Sequence, residues 1–230
     1  MTRSGRSAAG DAPTHDEAQV RRLVLATALT MSRSGLSPGR SGNVSARFGE
    51  GMLITPTGLV YEEIGPEDIV FVTLDGNVPQ ARRKPSSEWP LHVAAYRTRP
   101  DMGAVVHTHS THAVVLACAG RPIPAFHYMV ATAGGSDIPI APYATFGSEA
   151  LARHVAACLA DRQACLMAHH GAIALGRTLP EALELAQDVE MLAEQYIKVL
   201  ALGPPVLLPE GEMKTVLELF KSYGRNAPDE

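Results

Sequence analysis

The sequence predicts a single α/β domain, a layered fold whose central mixed, mainly antiparallel sheet is flanked by helices. Three observations lead there. Short strand-like runs crowd the first third of the chain, helix-periodic runs alternate with further strands after it, and no repeat, low-complexity run or linker divides the 230 residues.

In order, Thr14-His15-Asp16-Glu17 reads as a capping box opening a helix. Its apolar stripe takes Val20, Leu23, Val24 and Met31, with Thr27 at the weak position, and ends near Gly35. After a Gly/Ser-rich turn, Asn43–Phe48 and Met52–Thr55 read as a hairpin around Gly49-Glu50-Gly51. Ile69–Thr73 is a further strand, closed by Asp75-Gly76-Asn77. A helix runs from Ser87 to Arg99, with Pro90 tolerated because it falls in the first turn. Ala104–His109 reads as a buried strand, and Cys165–His170 and Gly171–Leu175 as two strands pivoting at a glycine. Helical patterning covers His112–Ala119, Ser148–Ala160, Pro180–Leu200 and Glu212–Lys221. The expected ordered domain is 14–224, between tails at 1–13 and 225–230.

Composition excludes several classes. With 20 basic against 24 acidic side chains the net charge is −4, without the basic excess of a nucleic-acid-binding surface. Aromatic residues are only 5%, too few for broad ring stacking. No run approaches the roughly 20 apolar residues of a membrane span, and residues 1–13 lack the apolar segment of a secretory signal. Three cysteines, Cys118, Cys158 and Cys165, with no Cys-x-x-Cys spacing, fit reduced thiols and a cytoplasmic location.

The chemistry points to the histidines. His107 and His109 are two apart at a strand end, so their rings share one face and can meet one cation. Two ordinary histidines near a sheet edge would show the same spacing. His169 and His170 are adjacent and face opposite ways, so at most one joins the same site. His170, beside Gly171, is the better placed, and His169 is then structural. Three protein ligands with one open position is the pattern of catalytic zinc. Glu88 stands at a helix N-terminus, where its charge is favoured, and would supply a carboxylate for moving protons next to a carbonyl. Three segments, Ser41-Gly42-Asn43, Thr55-Pro56-Thr57-Gly58 and Pro85-Ser86-Ser87, offer hydroxyls and small residues able to cradle a phosphate, although each also reads as an ordinary turn. No nucleotide-binding glycine loop is present, which favours a small phosphorylated metabolite over ATP or NAD.

Together these residues resemble the class II aldolase/adducin family, closest to its fuculose-phosphate aldolase branch. The matching runs are Gly42–Ser45, Gly51–Gly58, Ser86–Trp89 with His92, Ala104–His107, His127–Met129, Ala133–Gly135, Ala141–Gly147 and His169–Gly171, with a looser match at Phe220–Gly224. The likeness runs from about Asp16 to Tyr223.

The resemblance implies a zinc-dependent aldolase with one Zn2+ per subunit, held by His107, His109 and His170. Glu88 would touch the metal and act as acid/base. Gly42, Asn43, Thr57, Gly58, Ser86 and Ser87 would form the phosphate pocket, with His92 and His127 near the site. Tyr128 and Tyr223 would be catalytic at the aldehyde end, Tyr223 as proton donor, with Phe146 shaping that pocket. The implied reaction is reversible cleavage of a short ketose 1-phosphate, such as L-fuculose 1-phosphate, to dihydroxyacetone phosphate and an aldehyde. A homotetramer with sites between subunits is also implied, with no nucleic acid or membrane partner.

A lysine Schiff base is the competing aldolase chemistry, but Lys84 is the only lysine near these segments. A pentulose-phosphate 4-epimerase, a methylthioribulose-phosphate dehydratase and a 5-deoxypentulose-phosphate aldolase share the resemblance. Glu88, where the epimerases carry Asp, favours the aldolase; His107-Thr108-His109-Ser110 reads more like the epimerase strand. A non-enzymatic adducin-like scaffold would lack the metal ligands that are present here. Arg40 stands where a small hydroxyl residue is expected from the relatives.

Overall fold

A computed structural model describes residues 16–79 and 81–221. The expected tails, Thr14 and Tyr223 lie outside the described residues.

The sheet has seven strands in the order β3-β2-β1-β4-β7-β6-β5. They are β1 (Asn43–Phe48), β2 (Gly51–Ile54), β3 (Val70–Thr73), β4 (Ala104–Thr108), β5 (Ile140–Ala141), β6 (Ala164–Met167) and β7 (Gly171–Gly176). Every neighbouring pair is antiparallel except β5–β6. The predicted mixed, mainly antiparallel α/β sheet is what the chain forms.

Strand parity sorts the core into two layers. Val44, Ala46, Leu53, Ala104, Val106, Leu166, Ala172 and Ala174 face one apolar layer, shared with α1 (Glu17–Arg33), α3 (Thr111–Cys118) and α5 (Leu179–Leu202). Met52, Ile54, Val72, Val105, Cys165, Met167, Ile173 and Leu175 face the other, covered by α2 (Trp89–Thr98) and α4 (Glu149–Leu159). A final helix, α6 (Glu210–Phe220), packs on a short 3-10 turn at Tyr128–Ala133. Because both faces are covered, β4, β6 and β7 are buried along their whole length.

Three local expectations shift. The N-cap of α1 is Asp16, whose carboxylate accepts from the Gln19 N–H at the first turn. The buried stripe of α1 is Val20, Val24, Leu25, Ala28 and Met31; Leu23 faces out and the Thr27 hydroxyl bonds back to the Leu23 carbonyl. The expected strand Cys165–His170 stops at Met167, because His170 N–H closes a tight turn onto the Met167 carbonyl. That turn needs His169 in the left-handed region, φ 56°, an uncommon conformation for a residue with a Cβ.

The candidate metal centre and active site

Three strand ends meet beside the start of α2. His107 is the next-to-last residue of β4, His109 follows just past its end, His170 ends the β6–β7 turn, and Glu88 caps α2. Ligand atoms of Glu88, His107, His109 and His170 all lie within 4.8 Å of one another, and among the described residues this is the one such cluster. His107 and His109 Nε2 are 2.9 Å apart. Glu88 Oε2 lies 3.1 Å from His107 Nε2, and Oε1 lies 3.1 Å from His170 Nε2.

The donor set fits a cation. His107 Nδ1–H donates to the Ala172 carbonyl at 2.8 Å, so its Nε2 presents a lone pair to the cluster. Facing ring nitrogens and a carboxylate at these distances repel unless positive charge lies among them. Glu88 Oε1 is buried with no hydrogen bond aligned on it, an orphan of the kind a cation satisfies. Burial works against charge on Glu88, His107 and His109. Even so, Glu88 holds the His107 imidazole above its ordinary pKa, and the histidines hold Glu88 far below the usual carboxylate range. Burial and the neighbouring rings push His109 down to about 3, leaving it a neutral ligand. His107, His109 and His170, with Glu88, would hold the ion.

Gly171 makes this approach possible. A Cβ there would stand 2.2 Å from the Thr108 carbonyl oxygen and 3.3 Å from His109 Cδ2. The left-handed turn at His169 then swings His170 inward, while His169 itself packs edge-on against Tyr143.

The three hydroxyl-bearing segments lie side by side, and their side chains differ in exposure. Thr57 N–H donates to Lys84 and Ser86 N–H to Thr55, which zips two of the loops together. Thr57, Gly58 and Ser87 stay exposed at the rim, whereas Ser86 is buried with its Oγ on the Glu88 N–H. Gly42 takes φ +73°, and a Cβ would strike Ser37 Oγ and the His107 carbonyl. Arg40 reaches the Gly58 carbonyl at 3.3 Å, tying the first loop to the second. The Asn43 side chain turns inward: it is buried, donates to Glu88 Oε2 at 2.9 Å, and accepts from His92.

Tyr128 and Phe146 are not brought to the cluster within one chain. Tyr128 stacks on His127 and is 50% exposed, and Phe146 is 65% exposed on the loop after β5. Tyr223 lies outside the described residues. His112, without a role in the sequence, binds Glu190, whose carboxylate also accepts the first N–H groups of α3.

His92 is fully buried between β1 and α2, and burial pushes its pKa down to about 3 from 6.5. Below about pH 6.5 the unfolded chain takes a proton on this imidazole that the folded chain refuses, so His92 erodes stability as pH falls, by up to about 1.4 kcal/mol per unit until about pH 3. Urea midpoints between pH 7 and 5 should show this slope, and His92→Asn should flatten it by that share. Parallel slopes for the two proteins would contradict the burial argument.

The fold and this four-ligand site define a metal-dependent lyase of the aldolase type. The profile described as Class II Aldolase and Adducin N-terminal domain matches residues 22–197, and the chain belongs to that family. It is 53% identical over 208 residues to the 5-methylthioribulose-1-phosphate/5-deoxyribulose-1-phosphate aldolase of Rhodospirillum rubrum, covering 90% of this chain and 94% of that protein. It is 51% identical over 205 residues to the L-fuculose phosphate aldolase of Escherichia coli (strain K12), covering 88% and 94%. A solved structure titled L-fuculose 1-phosphate aldolase superposes with a TM-score of 0.85 at 39% identity, covering 88% of this chain and 96% of that one. The chain is a metal-dependent class II aldolase, and no helix among the described residues is long and apolar enough to cross a membrane.

Proposed function

We propose that the chain is a zinc-dependent aldolase acting on short ketose 1-phosphates, releasing dihydroxyacetone phosphate and an aldehyde. The observation that carries this is the position of Glu88. Its carboxylate belongs to the three-histidine cluster while its backbone N–H is held by Ser86, in one of the three hydroxyl-bearing segments. On this reading an acid/base group stands between the metal centre and a phosphate cradle.

A divalent ion there supplies a Lewis acid for the negative charge that builds on oxygen as a carbon–carbon bond breaks. The chain does the rest. Gly42, Gly58, Thr57 and Ser87 offer backbone N–H groups and hydroxyls to the phosphate, while the Asn43 amide is committed inward to Glu88. Glu88 moves the proton at the carbon that becomes the hydroxymethyl of dihydroxyacetone phosphate. The exposed Tyr128 and Phe146 support a site completed by a neighbouring copy, in a homotetramer, with Tyr223 taking the hydroxyl proton at the aldehyde end in cleavage and donating it back in condensation.

The relatives named for 5-methylthioribulose, 5-deoxyribulose and L-fuculose 1-phosphates share the part of the substrate that this pocket would hold. The test is release of dihydroxyacetone phosphate by the metal-loaded protein from L-fuculose 1-phosphate and from 5-deoxyribulose 1-phosphate, read with a coupled reductase. Cleavage of either supports the proposal, and their kcat/KM ratio assigns the aldehyde half. No cleavage, with inversion of L-ribulose 5-phosphate instead, would hand the site to an epimerase. His109→Ala should bring bound zinc from about one ion per chain, as a three-histidine site requires, to a small fraction of that by elemental analysis. Full retention would remove His109 from the ligand set.

A further inference from the structure

Behind Glu88, on the side away from the histidine cluster, five buried polar groups form one line. Glu88, His92 and Tyr96 stand four residues apart along a single stripe of α2, facing Asn43 and Ser45 on one face of β1. The contacts interleave. Asn43 Nδ2 meets Glu88 Oε2 at 2.9 Å, Asn43 Oδ1 meets His92 Nε2, His92 Nδ1 meets Ser45 Oγ at 2.7 Å, and Ser45 Oγ meets the Tyr96 hydroxyl at 2.9 Å. None of Asn43, Ser45, His92 and Tyr96 is more than 3% exposed.

The direction of every bond follows from the carboxylate end. An ionised Glu88 only accepts, so Asn43 must present its amide N–H to it and its carbonyl to His92. A carbonyl only accepts, so the His92 proton is on Nε2. Nδ1 is then an acceptor and takes the Ser45 proton. Having spent that proton, Ser45 accepts from Tyr96. Reversing any one bond would reverse all of them and leave the Asn43 carbonyl against the Glu88 carboxylate, with water excluded and nothing to relieve the repulsion.

We propose that Ser45 and Tyr96 are positioning residues of the aldolase reaction, acting through His92 and Asn43 to anchor Glu88 at Oε2, the oxygen that also faces His107, and so to fix the direction in which Oε1 points for proton transfer. This rests on the aldolase reading for its kinetic consequence but not for its hydrogen-bond consequence. The two are measured separately.

In metal-loaded full-length protein, Ser45→Ala should lower kcat by about 10- to 100-fold, the usual effect of removing a group that orients a metal-site residue. KM should stay within about twofold, because the phosphate loops are untouched. Tyr96→Phe keeps the ring packing and leaves Ser45 free to donate to His92, so its kcat should fall by only about threefold, again at constant KM. A purely structural role would lower the melting temperature of both variants without this split between kcat and KM.

The second readout needs neither metal nor substrate. Imidazole 15N NMR of the metal-free protein should show His92 as the Nε2–H tautomer in the wild type and still in Ser45→Ala, where the Asn43 carbonyl fixes that proton, with the Nδ1 resonance shifted by loss of the serine hydrogen bond. An Nδ1–H tautomer in the wild type overturns the proposal, as does an unchanged kcat in Tyr96→Phe together with Ser45→Ala. Should Ser45→Ala fail to fold, an unchanged kcat in Tyr96→Phe alone overturns it. If the wild type cleaves neither ketose phosphate, the aldolase reading is what fails, and the tautomer still decides the chain of bonds.

Discussion

Glu88→Gln should fold, retain much of its metal and lose turnover by about a thousandfold, within the range general acid/base groups supply. The amide is nearly isosteric with the carboxylate, and its oxygen can still accept from Asn43, so the buried chain behind it survives. What disappears is the anion that His107 and His170 hold at 3.1 Å and the capacity to take up a proton. The measurement pairs dihydroxyacetone phosphate release with elemental analysis of the same sample. Near-wild-type kcat would remove Glu88 from proton transfer, whereas metal loss in step with activity would make it a ligand first.

Gly171→Ala should cost about 3 kcal/mol of stability, the upper part of the usual range for overpacking, and most of the metal affinity. The glycine is needed here for close approach, since the Cβ would be 2.2 Å from the carbonyl of Thr108, the partner strand's last residue. β4 and β7 must then separate where Thr108 pairs with Ala172, and that is where one ligand flanks the joint on each side. Urea midpoints and bound-zinc content should fall together. A variant with normal stability and normal metal would show that the strand ends yield more easily than this contact implies.

Much of this was legible in the sequence because strand parity is a strong constraint. The His107-x-His109 spacing put two rings on one face, and the glycine after His170 marked which of two adjacent histidines could come close. The loops carrying Gly42, Thr57 and Ser87 were legible as turns from their hydroxyls and glycines, and the fold ties the first two together. The inward turn of Asn43 was not, since an asparagine in a glycine-rich turn looks the same whether it faces solvent or a buried carboxylate. Ser45 and Tyr96 were missed for a related reason: each fills a position where parity or a helical stripe shows only burial. The signal was there in combination, as Glu88, His92 and Tyr96 recur every fourth residue opposite Asn43 and Ser45. Tyr128 and Phe146 resisted a structural account because one chain holds neither against the cluster.

The order of the central strands has a consequence for durability. Glu88, the His107/His109 pair and His170 are distant along the chain and come together only when β4 is seated between β1 and β7. An ion held by all four binds the folded chain and not the unfolded one, so it behaves as a removable staple through the middle of the sheet. A free-ion concentration a thousand times the dissociation constant would add about 4 kcal/mol to the unfolding free energy. Metal supply therefore governs how long the protein survives as well as how fast it works.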